Sequence, residues 1–188
     1  MAIPHRKTLD ATPEYVAGKR IDAIKNQYHL DDIVKLSSNE NALGPPQSVI
    51  QAVTAILPTL SRYPDPKSAQ LTEAIARHDG VAAERILISH GLEEMIPAIC
   101  RAYINPGDNT VQPEITFIKY EIAVKIMDGE CIKVPMNDYA IDLEELLKAI
   151  NQKTRMVWLC NPNNPTGTYI AEKALKSFLS RVPEDVLV

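Results

Sequence analysis

Apolar side chains recur at helical spacing in the stretches Tyr15 to Tyr28, Ser48 to Leu57, Ser68 to His78, Glu93 to Tyr103, Phe117 to Met127, Leu143 to Ile150 and Ala171 to Val182. Between them lie short runs, most of them rich in Val, Ile or Leu, that read as strands: Ile33 to Ser37, Arg85 to Ser89, Thr110 to Gln112, Cys131 to Val134, Met156 to Cys160 and Asp185 to Val188. From about residue 85 strands and helices alternate without a break. That order predicts an α/β fold with right-handed crossovers, a mostly parallel sheet and helices on both faces. The first 45 residues read differently, as an N-terminal arm with one helix and one isolated strand, closed by Gly44-Pro45-Pro46 and packed outside the main sheet. The domain reading is therefore residues 1–45 as arm and part of a small domain, and residues 46–188 as an incomplete large domain. It is incomplete because an apolar run reaches Val188 with no helix to cover it, which predicts a larger protein.

Composition narrows the function classes. The chain has 188 residues and a net charge of −4 with both signs interspersed, so it offers no basic stripe for nucleic acid and no polybasic membrane patch. No apolar run approaches a bilayer span, and Met1-Ala2-Ile3-Pro4-His5-Arg6-Lys7 lacks the apolar core of a signal peptide, so a cytoplasmic location is expected. Cys100, Cys131 and Cys160 are widely spaced in apolar surroundings, as reduced buried thiols are. The four histidines show no metal-ligand spacing, and no metal is expected.

Chemistry concentrates where strands end. Met156 to Cys160 runs into Asn161-Pro162-Asn163-Asn164-Pro165-Thr166-Gly167, a polar turn whose two X-Pro steps bias Asn161 and Asn164 to extended backbone. The carboxyl end of a parallel strand is where such sheets bind ligands. A second junction, Ser89-His90-Gly91-Leu92-Glu93-Glu94, turns through a glycine into an amphipathic helix, and the free N–H groups of such a helix start suit an anion. A third is Asn105-Pro106-Gly107-Asp108 followed by a strand and Pro113-Glu114-Ile115-Thr116-Phe117-Ile118-Lys119-Tyr120. Earlier lie Pro13-Glu14-Tyr15-Val16-Ala17-Gly18-Lys19, Leu36-Ser37-Ser38-Asn39-Glu40-Asn41 and Arg62-Tyr63-Pro64-Asp65.

In this order, from about Pro13 to Gly167, these segments resemble the signature of fold type I, class I/II aminotransferases that use pyridoxal 5'-phosphate (PLP), in the version typical of histidinol-phosphate aminotransferases. The resemblance implies the large-domain fold of that family and a homodimer. It implies that Asn164 bonds the cofactor's phenolic oxygen, Phe117 stacks on its ring, and Gly91, Leu92 and Glu93 hold its phosphate together with Tyr63 of a second copy. Leu92 stands where members usually carry Ala or Ser. An aromatic platform suits a planar, electron-poor ring; taken alone, Phe117 and Tyr120 at i, i+3 would simply face the core. Tyr15, Asn39 and Glu40 would line the substrate site. Members continue with an aspartate for the pyridinium nitrogen, a Ser-x-x-Lys segment with the Schiff-base lysine, and an arginine for the substrate carboxylate. None of those segments occurs in the sequence, so no catalytic residue is assigned and the chain alone is expected to be inactive.

The implied reaction converts imidazole-acetol phosphate and glutamate to histidinol phosphate and 2-oxoglutarate. Relatives acting on aromatic amino acids or decarboxylating threonine phosphate share these motifs. A reading of another class is a non-catalytic module that binds a phosphorylated small molecule or dimerises. A dinucleotide-binding dehydrogenase is disfavoured, since no Gly-x-Gly-x-x-Gly follows any strand.

Overall fold

The computed structural model describes residues 5–15 and 18–188. Its contacts divide the chain into two compact units, Met1–Tyr15 with Ser89–Val188, and Val16–Ile88, where the sequence reading drew one break at residue 45.

The unit Val16–Ile88 carries α1 (Ile21–Tyr28), α2 (Gln47–Ile56) and α3 (Ala69–Asp79), none of which buries a residue fully. The first helix was expected from Tyr15 but begins at Ile21; of the residues between, Val16 and Ala17 lie outside the described ones. Two expected strands are absent. Ile33 to Ser37 pairs with nothing among the described residues, and Val34 and Leu36 are exposed. Arg85 to Ser89 closes a 3-10 turn at Ala83–Arg85, and the chain then continues from an extended Ile86 without a ladder. A strand needs a neighbour for its N–H and C=O groups, and branched side chains alone do not supply one.

The other unit holds the predicted parallel sheet. β1 (Asn109–Pro113), β2 (Glu130–Val134) and β3 (Thr154–Val157) lie in the order β2-β1-β3, all parallel, and the last strand expected, Asp185 to Val188, contributes a single bridge from Leu187 to Met156. One face packs Met156 with Ile96 and Cys100 of α4 (Leu92–Tyr103) and with Tyr120, Ala123 and Val124 of α5 (Lys119–Ile126). The opposite face packs Val111, Val134 and Val157 with Leu146 of α6 (Leu143–Ala149) and Phe178 of α7 (Glu172–Leu179). Side chains alternate between the two faces along each strand, so each strand contributes to both cores. Asp142 starts α6 by accepting from the N–H groups of Glu144 at 3.0 Å and Glu145 at 3.1 Å. Residues 5–15 lie along α5: Arg6 pairs with Asp128 at 2.7 Å and Lys125 Nζ reaches the Ala11 carbonyl at 3.4 Å. No helix among the described residues is long and apolar enough to cross a membrane.

Two features set where the sheet opens. At its amino end Asn109 and Thr154 are tied together, Thr154 Oγ1 donating to Asn109 Oδ1 at 2.7 Å, and the register slips by one residue at Arg155, whose Nε donates to Asp108 Oδ1 at 3.1 Å. At the carboxyl end the last β1–β3 bond is Trp158 N–H to the Val111 carbonyl, 2.9 Å. Pro113 has no N–H to continue that ladder, so β1 and β3 part there.

Glu121 is almost fully buried (4% exposed), its carboxylate bridging Lys125 at 2.7 Å and Lys133 of β2 at 2.8 Å. Burial pushes this carboxyl up, but the two ammonium groups outweigh it and hold the group below its ordinary value of 4.5. A depressed carboxylate stabilises the fold at pH values above the unfolded-state value and loses that contribution as pH falls through the folded one. Glu121→Gln is therefore expected to cost about 2 kcal/mol near neutrality, with the gap to the parent closing below about pH 4.5. Urea melts at several pH values check this; a gap that stays constant into acid would refute it.

Candidate functional site

The chain leaves β1 towards α5 on one face of the sheet and leaves β3 towards α7 on the other, so the loops at the carboxyl ends of these adjacent strands diverge. Such a switch point opens a crevice in any doubly wound sheet, and it is the default ligand site. Here its walls are residues 114–118 and 158–171.

Asn163 stitches the two walls. It is 2% exposed, accepts from Thr116 Oγ1 at 2.8 Å, and through Nδ2 donates to the Ile115 carbonyl at 2.9 Å and to Thr166 Oγ1 at 2.8 Å. Its backbone closes the turn, its N–H donating to Thr168 O at 2.8 Å and its carbonyl accepting from Gly167 N–H at 2.7 Å. Asn161 is equally committed, bonded both ways to the backbone of Ile170 at 2.8 and 3.1 Å. Asn164, half-buried between two cis proline junctions, makes no side-chain hydrogen bond among the described residues. A run of three asparagines is thus sorted into two that build the loop and one whose amide is left to offer.

The aromatic wall is a ladder of three rings. Tyr120 stacks on Trp158 with centroids 4.6 Å apart and planes 10° from parallel, and Phe117 meets Tyr120 edge-on at 5.6 Å and 84°. Burial, followed by the neighbouring Cys160 thiol, pushes the Tyr120 phenol up to about 12, so it stays protonated. Phe117 is half-buried, standing on the buried Tyr120. It therefore packs against the core cluster through Tyr120 while part of it stays open to solvent.

Next to it stands the start of α4. Gly91 precedes the helix with φ of 71°, a backbone that favours glycine, and Glu94 reaches back to accept from the His90 N–H at 2.7 Å. The N–H groups of Leu92 and Glu93 have no partner among the described residues. The Leu92 side chain turns outward (61% exposed) and borders a cavity of about 100 Å³ with Pro97, Lys119 and Ile122. Lys119 ties the first turns of α4 and α5 together. Its Nζ pairs with Glu93 at 3.1 Å and lies 3.9 Å from the centroid of the Tyr15 ring.

Of the residues predicted from sequence, one unit thus holds Gly91, Leu92, Glu93, Phe117, Asn164 and Tyr15, with Glu93 and Tyr15 linked through Lys119. Tyr63, Asn39 and Glu40 belong to the other unit. There Tyr63 is fully exposed on a turn that Asp65 organises by accepting from Lys67 N–H at 3.0 Å and Ala69 N–H at 2.8 Å. These two backbone donors hold the Asp65 carboxyl below its usual range, that of Ala69 most strongly. Asn39 is exposed, and Glu40 pairs with Lys35 at 2.7 Å. Sequence reasoning missed Asn163 as the clamp and Lys119 as the link. Nothing in the motif distinguishes Asn163 from its neighbours, and Glu93 and Lys119 lie too far apart in sequence to suggest a pair.

The three cysteines are free, and burial pushes Cys100 up to about 12 and Cys131 to about 11, which keeps both as neutral thiols. Among the described residues no group of His, Cys, Asp and Glu is placed to hold a metal.

Comparison with known proteins places this geometry in context. The family model described as aminotransferase class I and II matches residues 31–188. The histidinol-phosphate aminotransferase of Geobacillus thermodenitrificans is 44% identical over 183 residues, covering 97% of this chain and 50% of that protein. The corresponding enzyme of Halalkalibacterium halodurans is 42% identical over 94% of this chain and 48% of its own length. Among solved structures, histidinol-phosphate aminotransferase from Sinorhizobium meliloti in complex with PLP aligns over 99% of this chain and 50% of its own, with a TM-score of 0.87 and 26% identity. An Escherichia coli aminotransferase aligns over 96% and 48%, with a TM-score of 0.78 and 25% identity. The chain spans about half the length of the curated relatives it matches.

Proposed function

The chain belongs to the aminotransferase class I and II family, and from that premise we propose that it supplies the amino-terminal part of a PLP-dependent transaminase that interconverts imidazole-acetol phosphate and glutamate with histidinol phosphate and 2-oxoglutarate. The observation that carries this reading is the unpartnered Asn164 amide at the switch point, on a loop whose other two asparagines are fully committed. Together with the aromatic ladder and the two free N–H groups at the start of α4, it fits a planar phosphorylated ring.

In this reading Asn164 donates to the phenolic oxygen, Phe117 holds the ring face, and the N–H groups of Leu92 and Glu93, turned by Gly91, hold the phosphate. Tyr63 of a second copy completes the phosphate site in a cytoplasmic homodimer, and Tyr15, Asn39 and Glu40 contact the substrate. Residues 46–188 are then part of the cofactor-binding large domain, and residues 1–45 the arm with part of the small domain. When bound, PLP supplies an electron sink for the substrate α-carbon. The residues of this chain bind, orient and tune it.

The test is made on the longest product of the gene, with histidinol phosphate, phenylalanine and threonine phosphate compared as substrates. We expect kcat/KM for histidinol phosphate with 2-oxoglutarate to exceed that for phenylalanine by about a hundredfold or more. Equal rates with phenylalanine, or decarboxylation of threonine phosphate, would overturn the substrate assignment.

A further inference from the structure

Two buried polar atoms at the crevice have no hydrogen-bond partner: Gln112 Oε1 on β1 and Trp158 Nε1 at the end of β3. Gln112 as a whole is 2% exposed. The register pairs Thr110 with Met156 and Val111 with Val157, and the Trp158 N–H bonds the Val111 carbonyl at 2.9 Å. One step further along, Gln112 and Trp158 are cross-strand neighbours on the face that carries Met156 and α5. The orphan acceptor and the orphan donor therefore belong to neighbouring side chains on one face, each costing about 1–3 kcal/mol while unpaired.

We propose that Gln112 is a positioning residue: its Oε1 accepts from Trp158 Nε1 through one bridging water, and so fixes the ring ladder Trp158–Tyr120–Phe117 that presents Phe117 to the crevice. The stacking geometry makes this coupling physical. Tyr120 lies flat on Trp158 and Phe117 abuts Tyr120 edge-on, so rotating the indole displaces both rings above it. Lys133, the β2 neighbour of Gln112, is already taken by Glu121 and leaves Gln112 to Trp158. The effect on cofactor rests on the reading of Phe117 given above.

Trp158 is the single tryptophan of the chain, so its indole N–H gives one resonance in the 15N-labelled protein. Gln112→Met is expected to move that resonance upfield and to speed its solvent exchange by up to about tenfold. Gln112→Glu, which keeps an acceptor oxygen in place, is expected to restore both. Should the Met variant fold poorly, Gln112→Asn withdraws the acceptor while staying polar and is expected to give the same shift. An indole resonance that ignores these substitutions overturns the pairing, whatever happens with cofactor. In the longest gene product, Gln112→Met is expected to raise the Kd for PLP severalfold at unchanged KM for amino donor, with rescue by Gln112→Glu. A shifted indole with an unchanged PLP Kd overturns the positioning role. A parent protein that binds no PLP at all sinks the cofactor reading instead and leaves the indole result to stand alone.

Discussion

The polypeptide of 188 residues, mixed with PLP, histidinol phosphate and 2-oxoglutarate, is expected to transfer no amino group faster than free cofactor does. Enzymes of this kind gain about a millionfold or more over the uncatalysed reaction, so the expected loss is the whole of it. The reason lies in what the crevice contains. Transamination requires an amine that takes up the cofactor covalently and then moves a proton at the substrate α-carbon. The walls of the switch point offer asparagine amides, threonine hydroxyls, aromatic rings and the backbone N–H groups of α4, all of which bind and orient. The amine that the described residues place beside the α4 turn, Lys119, is engaged by Glu93 at 3.1 Å and lies on the Tyr15 ring. Borohydride reduction in the presence of PLP, followed by peptide mass spectrometry, checks this directly. A reduced adduct concentrated on one lysine, or turnover that scales with protein concentration, would refute it.

How much of this was legible beforehand differs between the helices, the strands and the site. Every helix announced by apolar spacing is present, because a helix satisfies its own backbone and needs from its surroundings only a face to bury. Strands announce less. Asn109–Pro113, Glu130–Val134 and Thr154–Val157 found partners, whereas Ile33 to Ser37, equally branched, did not, since pairing is settled by neighbours distant in sequence. The site behaves in the same way. The turns at Gly91 and at Asn161 to Gly167 follow from local chemistry, as does a ligand site at the strand ends. Which asparagine is free depends on Ile115, Thr116 and Ile170, and no local rule supplies those contacts. The orphan atoms of Gln112 and Trp158 are further from view still, because they follow from a register and from burial, and each residue alone reads as ordinary.

Neighbouring asparagines should then fail in opposite ways. Asn163→Ala removes three side-chain hydrogen bonds from a nearly fully buried position and leaves the Ile115 carbonyl and the Thr116 hydroxyl without their partner. At about 1 kcal/mol for each bond the cost is about 3 kcal/mol, on the order of 10 °C in Tm for a unit of this size. Because those bonds join the two walls, cofactor affinity should fall with stability. Asn164→Ala removes an amide that no neighbour uses among the described residues, so its stability is expected within about 0.5 kcal/mol of the parent. Its effect appears only with cofactor: in the longest gene product, losing a hydrogen bond to an ionised phenolic oxygen is expected to lower PLP affinity by about tenfold or more. Thermal melts of both variants, paired with PLP titrations, separate the two roles. If Asn164→Ala proves as destabilising as Asn163→Ala, its amide is part of the scaffold, and the crevice loses the unpartnered asparagine amide that points to a bound ring.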